Sequence, residues 1–310
     1  MMEEKGKIED TSKKKRCGFV AIIGLPNAGK STLLNQLLGT KVSIVSPKPQ
    51  TTRFNIRGVL TRDNYQIVFI DTPGIHDAKS LMNKLMVEQA LNTLAEVDAI
   101  LWVLDAANRS PKEESSLLEV IKSANKPTIL ALNKVDLIKN KNELLPVIDY
   151  FSKLYEFKAI VPVSALERDG LDELEEELVK LLPESEFYYP PEMATDLPLR
   201  LFVAEIIREK VFLNTYQEIP YSVAVEVNEI EENPENGVLV IRATIFCERD
   251  SQKGILIGKG GRMLKKIGTL AREELEFLLK RKVYLELWVK TLEGWREKES
   301  QLKRLILPYQ

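Results

Sequence analysis

Five short apolar runs mark the first 180 residues: GFVAII (18–23), YQIVFI (65–70), AILWVL (99–104), TILAL (128–132) and AIVPV (159–163). Each is apolar at consecutive positions and rich in Val and Ile, the pattern of a strand buried on both faces of a parallel sheet. Between them, apolar positions recur with helical spacing over 31–38, 80–96, 112–123, 142–155 and 171–182. This alternation predicts an α/β domain over 17–182, with a mostly parallel sheet, right-handed crossovers and helices on both faces.

The grammar changes after 182. Residues 183–196, PESEFYYPPEMATD, carry three prolines and several acids and read as a linker. Beyond it the pattern predicts a helix over 197–215 and strands over 222–231 and 238–247, joined by a turn at NPENG. A short helix over 251–257, a longer one over 262–280 and a strand over 283–290 follow. This is an α+β domain over 197–290, with a C-terminal helix or tail over 291–310. The polar residues 1–16 read as a flexible arm.

A length of 310 residues favours two domains and allows a large core without metal or disulfide staples. With 44% apolar and 29% charged residues the chain is neither wholly disordered nor fibrous. No apolar run approaches the roughly 18 residues of a spanning helix, and no secretory signal opens the sequence. Cys17 and Cys247 read as ordinary thiols of a reducing compartment, so the expected location is cytoplasmic. Residues 253–310 hold 14 Lys and Arg against 7 Asp and Glu; this net +7 leaves −9 on the rest of the chain. A basic end on an acidic chain suits a polyanion there, although solvated helix faces explain it equally well.

The chemistry begins at Gly24-Leu25-Pro26-Asn27-Ala28-Gly29-Lys30-Ser31, a G-x-x-x-x-G-K-[ST] loop between a predicted strand and a predicted helix. Its backbone N–H groups, from Asn27 to Thr32, converge on phosphate oxygens, and the helix N-terminus adds positive potential. Lys30 reaches the β- and γ-phosphates, and Ser31 offers a hydroxyl to Mg²⁺. Asn133-Lys134-Val135-Asp136 selects the base. The Asp136 carboxylate accepts from guanine N1–H and N2–H₂, a donor pair that adenine lacks. Asn133 ties this loop to the phosphate loop, and the Lys134 stem lies along the base. Ser164-Ala165-Leu166 follows the last strand, where backbone N–H groups meet guanine O6. Asp71-Thr72-Pro73-Gly74 follows a strand, so Asp71 can hold Mg²⁺ through water and Gly74 N–H can meet the γ-phosphate. In Thr51-Thr52-Arg53, Thr52 is the choice to complete the Mg²⁺ shell, with Thr51 as competitor. Lys30, Thr52 and Gly74 thus form the catalytic set. His76, the one histidine, reads as an exposed loop residue, because GTP hydrolysis needs little base catalysis.

GLPNAGKS (24–31), PQTTR (49–53) and DTPG (71–74) resemble those of translational-type GTPases, and more closely the bacterial Era family. Where Ras-like enzymes carry a water-positioning glutamine after this glycine, the chain has Ile75. The resemblance therefore implies catalysis by positioning and Mg²⁺. Asn27 is similar to the asparagine with which related GTPases hold K⁺, which implies K⁺ as a further cofactor beside GTP or GDP and Mg²⁺.

Gly258-Lys259-Gly260-Gly261, within the order helix, strand, strand, helix, GKGG, helix, strand, resembles a type II KH domain. Close backbone approach at the glycines suits RNA phosphates. Ile255, Ile257 and Ile267 are the expected apolar floor for bases, and Lys259, Arg262, Lys265 and Lys266 the basic rim. The resemblance covers nearly the whole chain. It implies a GTP-hydrolysing switch, with loops at 40–58 and 74–82, that binds single-stranded RNA near the 3′ end of small-subunit ribosomal RNA and assists 30S assembly. It also implies peripheral contact with the inner membrane; nothing in the sequence demands a dimer, so a monomer is expected. Two other readings remain: a nucleotide-gated RNA chaperone with negligible hydrolysis, and a GTPase of tRNA modification, against which GKGG argues.

Overall fold

The computed structural model describes residues 14–74 and 80–306. The first half is an alternation of strands and helices: β1 (Arg16–Ile23), α1 (Lys30–Leu38), β2 (Ile56–Thr61), β3 (Tyr65–Asp71), α2 (Leu81–Glu96), β4 (Ala99–Asp105), α3 (Pro111–Ala124), β5 (Thr128–Asn133), α4 (Leu144–Leu154), β6 (Ala159–Pro162) and α5 (Leu171–Leu181). The strand order is β2-β3-β1-β4-β5-β6, with only β2 antiparallel. Alternate side chains of β4 serve opposite faces. Leu101 and Val103 pack with Leu33 and Leu37 of α1 and Leu174 of α5. Ile100 and Trp102 pack with Leu117 of α3 and Phe151 of α4. Burial on both sides is why these strands read as continuous apolar runs.

β2 is absent from the sequence expectation. Its sequence, IRGVLT, interrupts the apolar pattern with Arg57 and Gly58. The glycine is there for packing: a Cβ on Gly58 would lie 2.6 Å from Leu38 Cδ1. The expected loop over 40–58 therefore ends at Asn55.

The second half comprises α6 (Leu199–Asn214), β7 (Ala224–Glu232), β8 (Leu239–Cys247), α7 (Asp250–Ile257), α8 (Arg262–Leu279), β9 (Val283–Thr291) and α9 (Glu299–Ile306). β8 pairs antiparallel with β7 and parallel with β9. One sheet face packs on Val203, Ile207 and Val211 of α6, Leu256 of α7, and Ile267, Ala271 and Leu275 of α8. The other face, through Ala224 and Phe246, meets Trp295, Leu302 of α9, and Met82 and Met86 of α2. The expected C-terminal tail is thus, as far as Ile306, part of a core shared with the first half.

Two further expectations need correcting. Of the expected arm, residues 1–13 lie outside the described residues, but Lys14 and Lys15 pair with Glu184 and Glu186, and Arg16 opens β1. The expected linker over 183–196 is strapped to the sheet. Gln66 of β3, fully buried, accepts from Tyr188 N at 2.9 Å and Tyr189 N at 3.0 Å, and donates to Tyr189 O at 2.8 Å. Ala194 O accepts from Val59 N of β2 at 2.8 Å.

Gln66→Leu would leave these backbone groups without their buried partner. We expect it to destabilise the first domain by about 2–3 kcal/mol. Hydrogen exchange at Tyr188 and Tyr189 should accelerate before exchange in β1; unchanged protection there would sink the strap.

Candidate functional site

The phosphate loop turns from β1 into α1. Gly29 makes that turn at φ 97°, and a Cβ there would lie 2.3 Å from Asn133 Nδ2. The loop and the Asn133 motif can therefore approach only through glycine. Asn133 uses the approach: Nδ2 donates to Ala28 O at 2.8 Å, and Oδ1 accepts from Ala165 N at 3.0 Å. One amide thus joins three of the expected motifs. Lys134 is in the left-handed region, with Nζ 2.6 Å from Asp105 Oδ2. Asp136 Oδ1 accepts from Ser164 Oγ at 2.6 Å, and Leu166 is exposed. A cleft of about 950 Å³ runs from Asn27, Ala28, Gly29 and Thr32 to Asp105 and Lys134, a volume suited to a nucleotide.

A second crevice gathers Ser31, Thr52 and Gly74 with the phosphate loop. Bonded to two of its lining residues is Asp71, fully buried at the end of β3. Its Oδ2 accepts from Ser31 Oγ at 2.6 Å and Ser43 Oγ at 2.8 Å, with Thr52 Oγ1 at 3.5 Å. Thr52 Oγ1 and Ser31 Oγ are 3.0 Å apart. Asp71 Oδ1 is buried with no hydrogen-bond partner. Three hydroxyls and a carboxylate with an unused lone-pair face form a hard oxygen donor set, and these residues fit Mg²⁺. Thr51, the competitor, bonds its own loop, Oγ1 to Lys48 O at 2.7 Å. Burial pushes the Asp71 carboxyl up, opposed by the Lys30 charge and the three hydroxyls. Lys30 donates to Gly24 O at 3.0 Å and Leu25 O at 3.1 Å. Asn27 is exposed at φ 62°, and Gly74 stands so close to Pro26 that a Cβ would lie 3.0 Å from its nitrogen. Ile75 and His76 lie outside the described residues.

Sequence reasoning missed three residues here. Ser43 has no motif of its own. It is held by Asn35, whose Oδ1 accepts from Val42 N and Ser43 N and whose Nδ2 donates to Ser43 O. The signal for Asn35 was its place one turn after Ser31 on the same helix face. Asp105 steers Lys134 and caps Ala107 N and Asn108 N.

In the second half, Gly258, Gly260 and Gly261 all take positive φ, and α8 starts at Arg262. Lys259, Arg262, Lys265 and Lys266 are exposed around that helix N-terminus, as is Ile255; Ile257 is half-buried. Ile267 is not part of a floor: it is fully buried in the core. A crevice between α8 and β9 is instead lined by Leu264, Gly268, Thr269, Leu285 and Leu287.

Comparison with known proteins gives the family. The model of the 50S ribosome-binding GTPase family matches residues 19–134, and the KH domain model matches 218–296. GTPase Era proteins of Geobacter metallireducens and Ruminiclostridium cellulolyticum are 51% and 48% identical over 290 residues. Each alignment covers 94% of this chain and 97% of the relative. This chain belongs to the GTPase Era family. It is a GTPase, with a P-loop domain followed by a KH domain. Two solved Era structures superpose with TM-scores of 0.90 at 48% identity, covering 94% of this chain and 98% of each. One is a tyrosine-to-alanine variant from Aquifex aeolicus bound to GDP and AlF₄⁻; the other is Era in complex with MgGDPNP and nucleotides 1506–1542 of 16S ribosomal RNA.

Burial lowers the Lys30 ammonium to about 8, against the pull of Asp71. A phosphate beside it favours the charged form, so binding takes up a proton above pH 8 and none well below it. Nucleotide affinity should be flat below about pH 8 and fall by up to about tenfold per pH unit above it. Calorimetry in buffers of different ionisation enthalpy measures that uptake. Lys30→Met should abolish it, and a wild-type protein without uptake would refute the assignment.

Proposed function

We propose that this Era-family GTPase couples guanine-nucleotide state to its grip on single-stranded RNA at the 3′ end of small-subunit ribosomal RNA, in 30S subunit assembly. The observation that carries the reading is continuity between the two sites. The segment that brings Thr52 to Asp71 also buries Ile44 in the core of the KH domain. The RNA in the Era complex with 16S nucleotides 1506–1542 supports this choice of partner.

In this reading Asp136 selects guanine, and Asn133 and Ala165 hold the base loop. Backbone N–H groups of residues 27–32 and the Lys30 ammonium neutralise the β- and γ-phosphates. Ser31, Thr52 and Asp71 would hold Mg²⁺, which would supply positive charge where the leaving oxygens become more negative. Gly74 N–H meets the γ-phosphate. The Ile75 side chain has no polar group to offer the attacking water, so the chain would rely on positioning and on a K⁺ held at Asn27. GTP favours the RNA-competent arrangement. RNA phosphates bind Lys259, the glycine loop, Arg262, Lys265 and Lys266, and bases lie against Ile255, Ile257 and the groove between α8 and β9. The protein acts as a monomer in the cytoplasm. Among the described residues no helix is long and apolar enough to cross a membrane; contact with the inner membrane would be peripheral.

The test is GTP turnover in Mg²⁺ and K⁺ with and without an oligonucleotide from that 3′ end. We expect stimulation by RNA, and tighter RNA binding in the GTP state than in the GDP state. Equal affinity in both states would refute the coupling, and negligible turnover with RNA bound would favour the chaperone reading. The double substitution of Lys259 and Lys266 by alanine should weaken RNA binding and lower the slope of log affinity against log salt by about 1.4, about 0.7 per lost phosphate contact. GTP affinity should stay unchanged.

A further inference from the structure

Thr52 is held from both sides by the KH domain. On one side, Arg208 of α6 donates from Nη2 to Thr51 O. On the other, the Arg53 guanidinium reaches the turn before β7, with Nη1 2.6 Å from Val223 O and Nη2 3.2 Å from Pro220 O and 3.3 Å from Tyr221 O. Both guanidiniums lie over the Phe212 ring, at 5.7 Å for Arg53 and 5.1 Å for Arg208. Phe212 is fully buried; Arg53 and Arg208 are 1% and 2% exposed.

The charges in this cluster do not balance. Glu205 pairs with Arg208 through Nε at 2.7 Å and Nη2 at 2.5 Å. The three hydrogen bonds of Arg53 all go to carbonyls, and its charged form is opposed by burial and by the neighbouring Arg208. Arg53 Nε and Arg208 Nη1 are buried without partners. Replacing buried charges by well-packed apolar residues of similar volume is often neutral or stabilising. The arginines do something an apolar pair cannot: through hydrogen bonds they tie the residues on either side of one threonine to the KH domain.

We propose that Arg208 and Arg53 are positioning residues for Thr52, through which the KH domain holds that hydroxyl beside Ser31 and Asp71. The proposal rests on Thr52 serving Mg²⁺ in the GTP state, as the proposed function has it. α6 thereby sets the affinity of the GTP-bound form for Mg²⁺ without touching nucleotide. GDP binding, which does not need Thr52, is independent of the latch.

The experiment uses the full chain and reads Mg²⁺ titrations of GDPNP and GDP binding by calorimetry, beside thermal unfolding. Arg208→Gln should raise the Mg²⁺ midpoint for GDPNP about tenfold, the equivalent of about 1.4 kcal/mol. GDP affinity should stay within about twofold. Arg208→Lys keeps the cation beside Glu205 but is one bond shorter and loses the Nε donor to Glu205, so it reaches Thr51 O less well. It should fall between wild type and Arg208→Gln, and it carries the test if the glutamine variant does not fold. Wild-type GDPNP midpoints in the folded variants would overturn the proposal, as would equal losses for GDPNP and GDP, which mark general loosening. Thr52→Ala tests the underlying reading separately: if it leaves the GDPNP midpoint unchanged, the role of Thr52 fails whatever Arg208 does.

Discussion

A buried carboxylate needs partners, and the site is organised by how Asp71 obtains them. Its Oδ2 draws in Ser31 from the phosphate loop and Ser43 and Thr52 from the segment before β2. Without those hydroxyls and the nearby Lys30, a fully buried charge at the end of β3 would cost several kcal/mol. The same demand brings the phosphate loop, the segment before β2 and the end of β3 to one point. Asp71 Oδ1, without a partner, is the one place where the demand is unmet.

The segment recruited by Asp71 also belongs to the other domain. Ile44 lies in the KH core, and Lys41 pairs with Glu209 at 2.7 Å and Glu274 at 2.5 Å. Lys48 donates to the carbonyls of Phe212 and Thr215. α2, which follows the DTPG loop, packs Met82 and Met86 beside Trp295. Trp295 Nε1 donates to Ser222 O in the turn whose neighbouring carbonyls accept from Arg53. The segment before β2 and the helix after the DTPG loop therefore converge on residues 220–223. That turn belongs to the KH half.

Much of this was legible in the sequence because it follows from local rules. Doubly buried strands read as apolar runs, and Gly24–Ser31, Asn133–Asp136 and Asp71–Gly74 are motifs of fixed spacing. What was not legible depends on partners far along the chain. β2 is an edge strand with Gly58 chosen to fit Leu38, so its own sequence carries little strand pattern. Ser43 is functional in position only because Asn35 and Asp71 meet it. Ile267 shares helical spacing with residues that do face the groove, and only packing against the sheet decides which side it takes. Residues 183–196 look like a spacer because what holds them is Gln66, over a hundred residues earlier.

That strap has a consequence for the protein in a crowded cell. β2 is the last strand of its sheet, and an uncovered edge offers unpaired N–H and C=O groups to any passing strand. Ala194 O takes the Val59 N–H, Thr195 Oγ1 donates to Arg57 O at 2.6 Å, and Asp196 pairs with Arg57 at 2.9 Å. The chain that joins the two domains is thus also the guard rail of the first one: the same residues that keep its halves together occupy part of its exposed sheet edge.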